Sequence, residues 1–192
     1  MNTLPTHIFF TGVPGSRWSG IAQTLELLAG INTSDHNDSR RYSHAGFGGH
    51  SGVYYGEGME FPATLTALDT SAWQTRGGCK IVKSHDWAYN LNSIKQMYSN
   101  VWIMLVYRPD KASFDWWKEA GGFDIKYPSY VWYENDEKMM AEIKKQNECI
   151  LEFAEKHKAN WSQFDSLWIR ENFDQFVSVD KVWPDIMVAL IK

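Results

Sequence analysis

The run Val101-Trp102-Ile103-Met104-Leu105-Val106-Tyr107 is apolar without interruption. A strand with one face in water alternates apolar and polar residues. A run without alternation needs cover on both faces, the condition of an interior strand in a parallel sheet. Ile8-Phe9-Phe10 is a shorter run of the same kind that stops at Gly12. Cys79-Lys80-Ile81-Val82-Lys83-Ser84 reads as a third strand, running into His85, and Ser166-Leu167-Trp168-Ile169-Arg170 as a fourth. Helical patterns fall between and after them. Ile21 to Ala29 reads as a helix with Gly30 placed to end it, and Pro62 opens a short helix through Leu65 and Leu68. Asn92 or Ser93 caps a helix carrying Ile94, Met97 and Tyr98; Asp110 caps one through Trp117 that stops at Gly121-Gly122. Glu134 to His157 is the longest, with Met139, Ile143, Ile150, Phe153 and Ala154 on one face, and Trp183-Pro184 starts a final helix with Met187, Leu190 and Ile191. Strands alternating with helices predict an α/β fold: three layers, α/β/α, around a central, mostly parallel sheet.

One domain over residues 1–192 accommodates this pattern, and a composition 44% hydrophobic and 15% aromatic predicts a packed core. A net charge of −4 argues against a general nucleic-acid binder but leaves room for a local basic pocket. Cys79 and Cys149 are too few for a disulfide framework or a cysteine metal site, which fits a reducing compartment. The start of the chain, Met1 to Thr6, lacks the basic flank and apolar stretch of a signal peptide. No run approaches the ~18 apolar residues of a membrane span. These features predict a cytoplasmic protein without membrane or nucleic-acid partners.

In a parallel sheet, ligands sit beyond the C-terminal strand ends. Three polar clusters fall at such ends. The first is the loop Gly12-Val13-Pro14-Gly15-Ser16-Arg17-Trp18-Ser19, between the first strand and first helix. Strand, small-residue loop and helix make an anion site, because N–H groups and the helix dipole converge on one spot. Arg17 adds a forked cation. The loop is not a Walker A motif, since no Gly-Lys-Ser/Thr closes it, and an ordinary β-to-α turn remains the plain alternative. The other clusters are Lys83-Ser84-His85 and Arg108-Pro109.

In this order the three clusters resemble the PAPS-dependent sulfotransferases, which use 3′-phosphoadenosine 5′-phosphosulfate as sulfuryl donor. Gly12-Val13-Pro14-Gly15-Ser16-Arg17 is similar to the family's 5′-phosphosulfate loop in its tyrosylprotein form, Gly-Val-Pro-Arg-Ser-Gly. Lys83-Ser84-His85 is similar to its Lys-Thr-His, whose histidine is the catalytic base. Val106-Tyr107-Arg108-Pro109 followed by Ser113 is similar to the strand and helix whose Arg and Ser hold the 3′-phosphate, and Ile169-Arg170-Glu171-Asn172-Phe173 to its Arg-Tyr-Glu-Asp-Leu strand end. The chain departs from the pattern: Gly15 stands where the family has a loop cation and Arg17 where it has glycine, Arg108 lacks the intervening Asn, and Ser113 follows Arg108 early, with Asp115 nearer the family register. The family's late Gly-rich, basic segment has no counterpart, and the chain is short for the family.

The resemblance implies a P-loop-like sulfotransferase domain that binds PAPS and releases PAP, the 3′,5′-bisphosphate, without metal. It implies His85 as general base, Lys83 and Arg17 as the catalytic cations, and Gly12, Pro14, Gly15, Ser16, Arg17, Trp18 and Ser19 around the 5′-phosphosulfate. Arg108 and Ser113 fall on the 3′-phosphate. His50 is the reserve base, and His50, Tyr54, Tyr55 and Trp87 stand on the side of a small-molecule or glycan acceptor. Taken alone, His85 reads first as a strand-end histidine in a structural hydrogen bond; the company of the Arg17 loop and Arg108 reverses that reading in favour of the base. The segment Gly46 to Gly58 is a surface loop, a small hairpin or a lid, within a polar stretch, Asn32 to Gly52, that reads as loop. Two other functions share the same loop: a nucleotide or small-molecule kinase, which needs an acidic Mg²⁺ ligand, and a non-catalytic nucleotide-binding protein.

Overall fold

A computed structural model describes residues 4–34, 41–45, 51–55, 77–125, 130–173 and 180–192; for 41–45 and 51–55 the description is of the backbone. The strands are β1 (His7–Gly12), β2 (Arg41–Ala45), β3 (Ser51–Tyr55), β4 (Lys80–Lys83), β5 (Val101–Tyr107), β6 (Ser162–Gln163) and β7 (Met187–Ile191). The α-helices are α1 (Trp18–Leu25), α2 (Trp87–Met97), α3 (Asp110–Glu119), α4 (Asp136–Lys156) and α5 (Ser166–Asn172). Five strands form one sheet in the order β4-β1-β5-β7-β6, and β2 and β3 form a separate antiparallel hairpin. The protein is α/β with a mixed, mostly parallel sheet: β4, β1 and β5 are parallel, and β7 runs against both β5 and β6.

The uninterrupted apolar runs behave as their composition requires. β1 lies between β4 and β5, with His7 opposite Lys80 on one side and Val101 on the other. Phe9, Phe10, Ile103, Met104, Leu105 and Val106 have no exposed surface. From β1 the chain passes through α1 to β4 on one side, then through α2 to β5 on the other. Right-handed crossovers therefore put α1 and α2 on opposite faces of the sheet. α4 packs on α2 and α3 and lies over β1 and β5, so these three helices share a face. The connections leaving β1 and β5 part to opposite faces, which opens a crevice between the two strand ends.

Several elements differ from the sequence reading. Ser166–Asn172 is helix rather than strand, because Asp165 caps it, accepting from the Trp168 N–H at 2.8 Å. The stretch after Trp183-Pro184 is a strand rather than a helix: Asp185 sits at φ 65, which breaks a helix, and Met187–Ile191 then pairs with β5. α2 begins at Trp87, ahead of Asn92, with Asp86 in the N-cap position. Asp110 is the first residue of α3 and Pro109 stands in the N-cap position. α1 starts at Trp18, ends at Leu25, and is followed by turns that close at Gly30, φ 88. β2 falls inside the stretch read as loop and pairs with β3, so the hairpin begins ahead of the Gly46 to Gly58 segment in which a small hairpin is one reading. The helix at Pro62 lies outside the described residues. Among the described residues no helix is long and apolar enough to cross a membrane.

Candidate functional site

The loop after β1 is closed by a turn in which the Ser16 N–H donates to the Val13 carbonyl at 3.0 Å. Gly15 has φ 78 and lies flat against the first turns of α3: a Cβ there would sit 1.8 Å from the Ser113 carbonyl oxygen. Position 15 therefore cannot carry a cationic side chain. Positive charge comes instead from Arg17 and Arg108. Arg17 takes the N-cap position of α1 at φ 62, ψ 15, a left-handed conformation that costs a non-glycine residue on the order of 1 kcal/mol. Its guanidinium carbon lies 3.7 Å above the Trp116 ring and 5.6 Å from that of Trp183. Arg108 follows β5, and its Nη1 donates to the Gly15 carbonyl at 3.0 Å.

The two guanidiniums influence each other. Burial lowers the Arg17 pKa, the Arg108 charge lowers it further, and Glu119 opposes both. Burial also lowers that of Arg108, against Asp185, Asp115 and Glu119. Two half-buried cations held side by side at a helix N-terminus favour an anion between them. Polar atoms nearby point the same way. Ser16 is fully buried, and its Oγ has no hydrogen-bond partner among the described residues. It turns back into the loop, where a Cβ on Gly12 would come within 2.7 Å of it. The buried Nε of Arg108 likewise has no partner among the described residues. An unmade hydrogen bond of this kind costs about 1–3 kcal/mol, and an oxyanion supplies the missing acceptor.

His85 lies directly beneath the loop. Its Nδ1–H donates to the Gly12 carbonyl, which fixes the tautomer and leaves the lone pair on Nε2. The ring lies between Trp18, at 4.4 Å, and Trp132, at 6.4 Å between centroids. It is 1% exposed, and burial lowers its pKa to about 4, against the pull of the Gly12 hydrogen bond, Asp86 and Glu142. The imidazole is therefore neutral at pH 7.

The structure thus brings Gly12, Pro14, Gly15, Ser16, Arg17, Trp18, Ser19, His85, Arg108 and Ser113 to one end of the sheet. Ser113 is buried, and its hydroxyl donates to the Arg108 carbonyl at 3.2 Å. Lys83 points elsewhere: its Nζ is 3.5 Å from Glu26 Oε1, just past the end of α1 opposite the loop. Trp87 is core, its indole N–H donating to the Val82 carbonyl at 3.0 Å. Tyr54 and Tyr55 lie on β3 and pair with Tyr42 and Arg41, while His50 is outside the described residues. The sequence reading missed Asn147, which binds the Arg108 carbonyl at 2.9 Å. A signal was present: Gln146 and Asn147 are polar yet share the face of α4 that carries Ile143 and Ile150. Among the described residues no group of three or more His, Cys, Asp and Glu is arranged to hold a metal.

No family model matches the chain, and no curated protein or solved structure matches it.

Proposed function

We propose that the chain is a PAPS-dependent sulfotransferase with a P-loop-like domain, acting on a small-molecule or glycan acceptor. The observation that carries the reading is the hydrogen bond from Arg108 to the Gly15 carbonyl. It holds the guanidinium at the end of β5 against the loop at the end of β1, beside Arg17, at the crevice where α/β sheets take nucleotides. The order of motifs supports the donor class, and the orphaned Ser16 hydroxyl and Arg108 Nε suit a ligand rich in anionic oxygen.

PAPS supplies an activated sulfuryl group on its 5′-phosphate. The N–H groups at the start of α1, Ser16 and Arg17 hold the 5′-phosphosulfate and take up the negative charge that grows on the leaving phosphate. Arg108 holds the 3′-phosphate. His85 is neutral, with Nε2 as its acceptor, and receives the proton of the acceptor hydroxyl as the acceptor oxygen bonds to sulfur. One observation favours a second reading, a non-catalytic nucleotide-binding protein: His85 is 1% exposed, so an acceptor reaches Nε2 only if Trp18 or Trp132 gives way.

Calorimetry with PAP and AMP tests the donor class. PAP is expected to bind at least about tenfold more tightly than AMP, and Arg108→Ala to remove most of that preference while AMP affinity barely changes. Equal binding of PAP and AMP by the wild type would exclude a 3′-phosphate site and the sulfotransferase reading with it. A preference that survives Arg108→Ala would move the role to Arg40, Arg41 or Arg76. A charge-assisted hydrogen bond contributes ~1.5–3 kcal/mol, so Arg17→Ala is expected to weaken PAP binding by roughly ten- to a hundredfold. Unchanged affinity would mean that Arg17 remains stacked on Trp116 in the complex. Activity is expected to persist in EDTA, whereas a strict Mg²⁺ requirement would favour the kinase reading.

A further inference from the structure

Asp110 opens α3 two residues after Arg108, at a helix end that shares the crevice with the loop through the close approach of Ser113 to Gly15. A carboxylate free to turn into that crevice would compete for the guanidinium and repel any bound oxyanion. It has two obvious local roles, to cap α3 or to pair with Arg108, and it takes neither. Pro109 occupies the N-cap position, with no side-chain cap, and the Arg108 guanidinium goes to Gly15. Asp110 Oδ1 instead accepts from Asn147 Nδ2 at 2.6 Å, and the same Nδ2 donates to the Arg108 carbonyl at 2.9 Å. An amide nitrogen has two hydrogens, so both are used. The Arg108 carbonyl takes its second hydrogen bond from Ser113, which pins the peptide at the end of β5 from two sides. Asn147 is 2% exposed on the apolar face of α4, where an apolar residue would be the ordinary choice; its Nδ2 is fully used, while its buried Oδ1 has no hydrogen-bond partner among the described residues.

We propose that Asn147 is a positioning residue that sets the anion affinity of the site: it turns the Asp110 carboxylate toward α4 and away from the anion held by Arg108 and the α1 loop. The inference rests on the anion-binding reading above. It also accounts for the residue type. Aspartate at 147 would repel Asp110, and an apolar residue would release it.

The test is PAP affinity by calorimetry for the wild type, Asn147→Ala, Asp110→Asn and the double variant, with circular dichroism to confirm folding. Asn147→Ala is expected to bind PAP about tenfold more weakly, and Asp110→Asn and the double variant to stay within about twofold of the wild type. Rescue by Asp110→Asn separates a charge held at a distance from a merely structural amide, because removing the Asp110 charge cannot rebuild lost packing. If Asn147→Ala fails to fold, Asn147→Ser takes its place in both the single and the double variant; serine is polar but too short to reach both acceptors. Unchanged affinity in the single variant, or a loss that Asp110→Asn does not restore, would overturn the inference while leaving the site intact. A wild type that does not bind PAP would instead overturn the reading of the site, and the inference with it.

Discussion

Replacing His85 by alanine or asparagine is expected to lower turnover by about 10²–10⁴-fold while PAP affinity is nearly unchanged. The groups proposed to bind the nucleotide lie on the loop and at the end of β5, whereas the histidine lies beneath them, hydrogen-bonded to Gly12. The assay needs an acceptor, or slow PAPS hydrolysis as a proxy. Full activity in the variant, with loss on His50→Ala, would transfer the base to His50. The same residue has a signature in stability. Its folded pKa is about 4 against an ordinary 6.5, so the unfolded chain binds the proton first as pH falls. Its stabilising contribution is complete above pH 6.5 and declines between pH 6.5 and about 4. The loss amounts to about 3 kcal/mol, and His85→Asn is expected to lack that part of the pH slope in denaturant titrations. Identical slopes would show that the imidazole is not buried neutral.

Gly15→Ala is expected to destabilise the fold by about 3 kcal/mol or more, which lowers the melting temperature of a chain this size by about 6–12 °C. The cause is specific. The new methyl would meet the Ser113 carbonyl oxygen at 1.8 Å and its carbon at 2.8 Å, backbone atoms that cannot rotate away. The control is Gly77→Ala, at φ 90 with nothing among the described residues within 4 Å of the new Cβ, where the backbone penalty of about 1 kcal/mol is the expected cost. Equal losses at the two positions would mean that the loop is not seated on α3. The comparison also gives a physical reason for a glycine where the resembling family carries a cation: α3 closes over this position, and only the flanking residues are free to bring charge.

The parallel core was legible because its strands are apolar without alternation; β5 spans the residues its composition marks, Val101–Tyr107. Three of the motif positions were legible too: the Gly12 loop, Lys83-Ser84-His85 and Arg108 stand at the ends of β1, β4 and β5, whereas the fourth, Ile169 to Phe173, expected at a strand end, begins inside α5. The misreadings came where local chemistry is ambiguous. Ser166-Leu167-Trp168-Ile169-Arg170 is short and apolar enough for either state, and the deciding residue, Asp165, lies just outside it. At Trp183-Pro184 the proline suggested a helix start, but pairing of Met187–Ile191 with β5 overrode it. The direction of Lys83 toward Glu26 and the hold of Asn147 on Asp110 are tertiary facts: each joins residues from separate elements, and no spacing encodes them.

The strand order also governs how the chain reaches this state. In the main sheet His7 must find both Lys80 and Val101, and Ile103 must find Ile191. Only β6 and β7 are joined by a comparatively short stretch, and β6 contributes two residues. Among the described strands of this sheet no tight hairpin joins neighbours, so loop-closure entropy is lost before their pairing returns any energy. α4, long and well capped by Asn135, is the element expected to form from local contacts, with β1 and β5 condensing beneath it. Refolding is expected to be slow for a chain of this size, with a half-formed sheet that exposes the apolar edges of β1 and β5 to other copies of the chain.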